Sequence, residues 1–449
     1  MSGNTGSAGL ISMRLTERRQ RRKKSGSGPD QPVEPAALGR VISVARVSRW
    51  AENVIARGWL EAVYPSLPQG VVALQLREAG RVRVVWVTTE CFEAQAPTLQ
   101  SVLVIRSAAI SNSVELPATD IELVTRAELP AAGAEPWALH IRAAASRDAL
   151  VVASLAERYA REFMDSRGCI GLQPSVLSER ASTVAPDASV MPDRGAQSQA
   201  LNAGGWMWIN AMVTALERVY AICPIVREQT SGTPLHLAPQ WLLQAEIAWA
   251  TGEEIMQWEE GLLRHVGERL LDRHAPLLPP GSEQRLGAWR RPLPIVRYDE
   301  ALALLAAAGA KPAPGCEFTG RERALLDQKF SSPYFIAEIP IGLAPLATRT
   351  AADAPQVSCS HRLMSGSDQA PLAIGGERVS AWQAEPSLPQ RGLRATRSDP
   401  LQSVAWFADT RRYGCVPHSG FEMQLNALVA LALGVNLAEF DARGRSPYG

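Results

Sequence analysis

Cys415, His418 and Asp409 stand close together in the C-terminal stretch Asp409-Thr410-Arg411-Arg412-Tyr413-Gly414-Cys415-Val416-Pro417-His418. A thiol, an imidazole and a carboxylate so near in sequence are the parts of a nucleophile with its base and orienting group. His265, Glu268, Asp272 and His274 form a second set of ligand-type side chains. On a helix their spacing spreads them around the axis rather than along one face, so solvated helix charges are the better reading. The six cysteines, Cys91, Cys169, Cys223, Cys316, Cys359 and Cys415, contain no C-x-x-C pair. That argues against a zinc ribbon or a disulfide framework and points to a reducing, cytoplasmic setting. Trp206, Trp208, Trp241, Trp249 and Trp258 read mostly as core, with Trp206 the exception to test as a pocket residue.

The elements that must position these residues fall into successive blocks. At 449 residues the chain is long enough for two or more domains. Its 46% hydrophobic and 20% charged residues are those of a globular protein with a sizeable core. A formal net charge of +1 leaves any attraction for polyanions to local patches. No apolar run is long enough to cross a bilayer, and none follows the N-terminal charges as a signal peptide requires. Residues 1–39 form a Gly/Ser-rich tail around Arg18, Arg19, Arg21, Arg22, Lys23 and Lys24. It reads as disordered, either a solvated tail or a binder of RNA phosphates.

Residues 40–130 carry five β-rich runs, starting at Val54, Gly70, Val82, Ser101 and Asp120. Turn residues separate them, which predicts a small barrel, with the five-stranded oligonucleotide-binding fold the natural candidate and a generic β-barrel or sandwich the alternative from pattern alone. A Pro/Gly/Ala linker follows, then a helix over Ser146 to Asp165 with Leu150, Val151, Leu155, Tyr159 and Phe163 at core-facing spacing. Further helices are predicted over Glu253 to His274 and over Asp299 to Ala308, with Asp299 as N-cap. The stretch from Thr348 to Arg397 reads as strands joined by long loops.

Three segments carry a family resemblance. Asp409 to Phe421 resembles the approach to motif 3 of the asparaginyl class II aminoacyl-tRNA synthetases. Arg218 to Glu228, with Thr233, His236-Leu237-Ala238-Pro239-Gln240-Trp241 and Glu246, is similar to that family's motif 2. Phe163 to Ser178, ending in Gln173-Pro174-Ser175-Val176-Leu177, is similar to motif 1, whose proline lies at a dimer interface. The resemblance runs from about Arg40 to the C-terminus and has the motifs in the family's order. It implies an α+β fold: a five-stranded OB-fold barrel over 40–130, resembling an anticodon-binding domain, then a class II antiparallel-sheet catalytic-type domain over 131–449. It also implies a homodimer. Cys415 then occupies a position where the family has a small residue, which favours a structural role for the thiol.

The resemblance implies ATP and Mg²⁺ as cofactors, and tRNA and an amino acid as ligands. It assigns Arg227 to the α-phosphate and His236 to the outer phosphates as catalytic residues. It places Arg411, Arg412 and Glu246 at the amino-acid-like substrate, and Trp206 where the family has a polar residue gripping that substrate. Against this, Gln229 stands for a glutamate beside the adenine, and Pro239-Gln240 for a glutamate and a stacking phenylalanine. Leu425-Asn426-Ala427-Leu428 stands where the family carries a glutamate and a γ-phosphate arginine, and neither Asn426 nor Ala427 offers a planar cationic fork. Cys359 falls at a metal-ligating aspartate, with Glu377 and Asp368 as replacement carboxylates. In the barrel, Val71-Val72-Ala73-Leu74 lacks the family's base-stacking aromatic, a contact worth ~1–3 kcal/mol per base.

The resulting expectation is an asparaginyl-type ligase scaffold turned to a changed amino-acid substrate or a biosynthetic role. The alternative is a non-catalytic relative binding RNA, a small molecule or a protein.

Overall fold

The computed structural model describes residues 54–64, 70–106, 118, 120–128, 130, 136–175, 177–179, 199–201, 205–225, 240–330, 332–345, 347–365, 371–380, 406–407, 409–437 and 440. The basic tail, Arg227, His236, Gln229 and Asp368 lie outside them. The chain divides into two compact units, Met1–Gly133 and Ala134–Gly449.

In the first unit each β-rich run becomes a strand: β1 Val54–Tyr64, β2 Val71–Glu78, β3 Arg81–Thr88, β4 Val102–Arg106 and β5 Asp120–Thr125. They pair antiparallel in the order β3-β2-β1-β4-β5. Ala118, just ahead of β5, bridges in parallel to Val87 of β3 and brings the outer strands together. Helix α1, Thr89–Gln95, is capped by the Thr88 side chain and packs Cys91 and Phe92 on the barrel core. Alternation supplies that core, with Leu60, Leu74, Leu76, Val87, Leu103 and Ile105 fully buried. This is an OB-type barrel.

The second unit is built on an eight-stranded sheet. Helix α2, Ala144–Ser166, leads into β6, Ile170–Leu172. A small hairpin, β7 Leu177–Glu179 with β8 Gln199–Leu201, precedes helix α3, Trp206–Leu216. Strands β9, Arg218–Ile225, and β10, Gln240–Ala248, follow, then helix α4, Gly252–His274. Strand β11, Ile295–Arg297, runs into helix α5, Tyr298–Ala307, and β12 spans Tyr334–Ala337. A second hairpin, β13 Thr350–Ala351 with β14 Ala354–Ser358, comes before β15, Ser360–Met364, and β16, Ala373–Glu377. Strand β17, His418–Gln424, feeds directly into helix α6, Leu425–Leu433. The sheet order is β11-β12-β15-β16-β17-β10-β9-β6. The pairs from β12 to β9 are antiparallel, while β11 and β6 join the two edges in parallel.

Strand alternation gives this sheet two different faces. Leu243, Ala245, Phe421, Met423, Ala373 and Tyr220 point into a large core beneath α2, α4 and α6. Their neighbours Gln244, Glu246, Gly420 and Glu422 point to the opposite face. Helix α4 starts with a reciprocal capping box between Thr251 and Glu254.

Three sequence expectations need correcting. Leu150 and Val151 of α2 are exposed, because the helix meets the core through Ala149, Val152, Ala156 and Ala160, whose small size permits close approach. Asp299 lies inside the first turn of α5, where it pairs with the N-cap residue Arg297 at 3.1 Å. Among the tryptophans, Trp249 is 70% and Trp241 44% exposed, so neither is core.

Within the helix-side core, Glu259 of α4 bonds His361 of β15 at 2.7 Å, with side-chain exposures of 0% and 2%. Removing one partner of such a pair leaves an uncompensated polar group, which costs about 3–5 kcal/mol. His361→Ala is therefore expected to lower urea-denaturation stability by that amount. Replacing both residues with apolar ones of matching volume should recover most of the loss, and a cost under ~1 kcal/mol for the single variant would show that the pair is not structural.

Candidate amino-acid site on the open face of the sheet

Glu246 sits near the end of β10, with its carboxylate on the open face and 3% exposed. Its register partner on β17 is Gly420, and a Cβ there would lie 2.3 Å from the Glu246 carboxylate. Glycine is thus what lets the acid lie across the neighbouring strand. Arg378, just beyond β16, donates from Nε to Glu246 Oε1 at 2.9 Å, and both side chains are 4% exposed. His418 at the head of β17 brings Nε2 to 3.9 Å from Glu246 Oε2. The other imidazole nitrogen, Nδ1, lies 2.8 Å from the Val416 carbonyl. Burial holds the His418 pKa below its ordinary value despite the Glu246 charge, so the ring is neutral. Nδ1 then donates to Val416, and Nε2 is left as an acceptor.

Arg411 closes the cluster from above. Its guanidinium stacks on the Phe407 ring at 3.8 Å and donates to Asn210 Oδ1 of α3 and, at 2.8 Å, to Thr410 Oγ1. Burial lowers its pKa to about 10, which still leaves a cation at neutral pH. Phe407 in turn meets Trp206 edge to face at 5.6 Å. Three buried polar atoms here have no hydrogen-bond partner among the described residues: Glu246 Oε2, His418 Nε2 and Asn210 Nδ2. Two are acceptors and one is a donor. A ligand presenting an ammonium or amide N–H group beside an oxygen acceptor satisfies all three, which is the chemistry of an amino acid.

Along the same floor, Gln244 donates to Glu422 at 3.1 Å and accepts from the Cys223 thiol at 3.5 Å. This polar chain crosses β9, β10 and β17. The start of α6 is different in kind: Leu425, Ala427 and Leu428 are buried in the core, and Asn426 Oδ1 accepts from the Trp241 backbone at 3.2 Å.

Of the residues expected at the site, Glu246 and Arg411 are brought together, and Trp206 stands one ring away. Arg412 points outward, 73% exposed and 4.0 Å from Asp409. Arg378 and Asn210 are the members that sequence reading missed. Arg378 carried one usable signal: a charge two residues after Gly376, on the alternation that places it on the open face. The Cys415 thiol is 3.7 Å from His418 Nδ1, which is committed to Val416, and burial raises its pKa. With Asp409 turned to Arg412, the three do not form a nucleophilic relay.

The described residues do not fit a Mg²⁺-triphosphate. Glu377 faces the helix side, accepting from the Gly252 backbone at 3.1 Å and from Arg349 Nε at 2.7 Å. Cys359 is a thiol whose pKa burial raises. No group of three potential metal ligands occurs among the described residues, and His265, His274, Glu268 and Asp272 are taken up separately by Glu162, Tyr159 and Arg290.

A family profile for class II tRNA synthetases (D, K and N) matches residues 134–437, and the chain belongs to that family. Its relatives include the asparagine--tRNA ligase of Chloroflexus aurantiacus, 26% identical over 423 residues, covering 87% of this chain and 94% of that one. The asparagine--tRNA ligase of Thermoplasma acidophilum is 27% identical over 230 residues, covering 51% and 52%. In fold, the chain is similar to asparaginyl-tRNA synthetase from Pyrococcus horikoshii complexed with asparaginyl-adenylate. The TM-score is 0.77, with 21% identity and coverage of 87% and 94%. The architecture is accordingly an OB-fold barrel followed by a class II synthetase domain.

Burial lowers the pKa of His418, His265 and His274 from the ordinary 6.5. Below that value the unfolded chain binds more protons than the folded one, so stability falls with pH toward the lowered folded values and is fully present above 6.5. Urea midpoints measured from pH 8 to pH 5 are expected to be flat at first and to decline below about 6.5, less steeply in His418→Gln. A midpoint that rises on acidification would contradict the buried, neutral state of these rings.

Proposed function

We propose that the chain is an asparaginyl-type ligase-family protein repurposed from ordinary tRNA charging, with an amino-acid-like small molecule as its ligand. The observation that carries this reading is the buried Glu246–Arg378–His418–Arg411 cluster, with unpartnered acceptors and a donor at its centre. Glu246 takes the ligand's N–H donors, Arg411 and Asn210 take its oxygen, and Trp206 shapes the far wall with Phe407. Arg412, 73% exposed, enters the proposal by its place in the motif 3 pattern. Arg227 and His236 are the residues proposed to meet phosphate, by their places in the motif 2 pattern. ATP and Mg²⁺, the cofactors of the relatives' chemistry, would find no carboxylate set among the described residues.

A second reading, a non-catalytic member of the family, is favoured by the apolar start of α6 and by Glu377 facing away from the open side. Pyrophosphate exchange into ATP, assayed across the amino acids and their amides, separates the two. Exchange that depends on one such compound and is lost in Glu246→Gln supports the ligase. Absence of exchange with every compound leaves the binding protein.

Two partner assignments accompany the proposal. The barrel is of a type that binds oligonucleotides, and β3 presents Trp86, 40% exposed, beside Val82 and Val84, which suits tRNA or another RNA. The second is a homodimer. Leu150 and Val151 on α2 and Ile170 on the edge strand β6 are 43%, 45% and 45% exposed, an apolar edge of the kind that another copy covers. Sedimentation at micromolar concentration is expected to give a dimer, with Val151→Asp shifting it toward monomer. A monomeric parent chain would contradict the assignment. No described helix is long and apolar enough to cross a membrane.

A further inference from the structure

On the helix side of the sheet, across from the Glu246 floor, lies a second site. The C-terminal end of α2, the start of β9 and one turn of α4 border an open cleft of about 510 Å³ lined by Ser166, Arg167, Arg218, Gln257 and Trp258. We propose that this cleft binds a phosphate group, carried by a nucleotide or by an RNA strand, with the attached ring against Trp258.

The two guanidiniums are held rather than free. Arg167 lies over the Phe163 ring at 4.1 Å and over Trp258 at 5.3 Å. Room for this comes from Gly261 in the middle of α4, where a Cβ would sit 3.1 Å from Phe163 and 3.3 Å from the Arg167 guanidinium. Arg218 is tied to the Arg167 backbone carbonyl by Nη1 at 3.0 Å. That bond satisfies one carbonyl at the end of α2 and occupies one of its five N–H donors, leaving the rest for a ligand.

Neither arginine forms an ion pair among the described residues, and both are exposed. Neighbouring carboxylates are engaged elsewhere: Asp165 accepts from the Tyr220 hydroxyl at 2.7 Å, and Glu162 accepts from Arg269 at 2.6 Å. Thiol activation is not their role either. Cys169 is pushed up to about 11 by burial, although both arginines pull it down, so it stays a thiol at neutral pH. What remains is a pair of planar cations with an amide and an indole around them, the Ser166 hydroxyl being committed to the Phe163 carbonyl at 2.8 Å. Guanidinium forks match phosphate oxygens bidentately, and an indole face accepts a base of any identity. The cleft is large enough for a phosphate with one ring.

The test is a titration of the full-length protein at low ionic strength with AMP, inorganic pyrophosphate and a 5′-phosphorylated tetraribonucleotide. Heat and tryptophan emission are both followed. Arg167→Gln and Arg218→Gln are each expected to weaken binding about tenfold, Arg167→Lys to restore part of it, and the exposed Arg321→Gln to change it less than about twofold. Trp258→Phe should abolish the emission change on AMP. Binding of AMP assigns the phosphate to a free nucleotide, and binding confined to the tetranucleotide assigns it to RNA. Because the Arg218 side chain caps α2, folding of each variant is checked by circular dichroism, and Arg167→Gln, which keeps the backbone C-cap of α2 and removes no side-chain hydrogen bond seen among the described residues, carries the test alone if Arg218→Gln unfolds. Equal affinity in parent and arginine variants, or no binding of any of the three probes, overturns the proposal. Either result is independent of amino-acid binding at Glu246.

Discussion

Everything on the open face of the sheet depends on the close approach of the Glu246 carboxylate to Gly420. A side chain at 420 would occupy the place of the acid, so the two strands can carry this carboxylate only where β17 has none to offer. With the acid lying flat across β17, Arg378 reaches it from just beyond β16 and His418 from the head of β17 itself. A buried charge pair of this sort contributes little net stability, since desolvation offsets the attraction. What it does provide is a fixed charge pattern in a dry setting, and that pattern is what a small zwitterion or amide can recognise.

The same strand that builds this cluster also leads to the surface beside it. Strand β17 passes directly into α6, so the first turn of that helix projects next to the floor. Here its residues are Leu425, Asn426 and Ala427, which close against the core and against the Trp241 backbone. The chain therefore has the class II scaffold and a buried polar cluster on it, with an apolar helix start beside that cluster. The two halves of the site are separable because they are made by different residues on one strand and helix.

Much of the fold was legible in the sequence. The five barrel strands follow from β-branched runs set apart by turn residues, although bulges shift the register of β1 and β4, and α4 follows from the run over Glu253 to His274. The face of α2 was not legible by hydrophobicity alone, because alanines rather than Leu150 and Val151 make its contacts. The site was legible only in part. Glu246 and Arg411 stood out through the resemblance, whereas Arg378 did not, because its neighbour Glu377 is the more obvious chemical group. Only the strand register shows that Glu377 turns toward Gly252 and Arg378 toward Glu246. The second cleft was invisible for a similar reason: Arg167, Arg218 and Trp258 come from three separate elements.

The central claim is that the Glu246–Arg378–Arg411 cluster binds an amino-acid-like ligand without needing nucleotide. Calorimetric titration of the protein with amino acids and their amides, with ATP and Mg²⁺ omitted, tests it most directly. Saturable binding of at least one such compound to the parent chain, abolished in Glu246→Gln and in Arg411→Gln while both variants remain folded, is the predicted result. Binding that persists unchanged in both variants, or heats that appear only when Mg²⁺ and ATP are supplied, would contradict it.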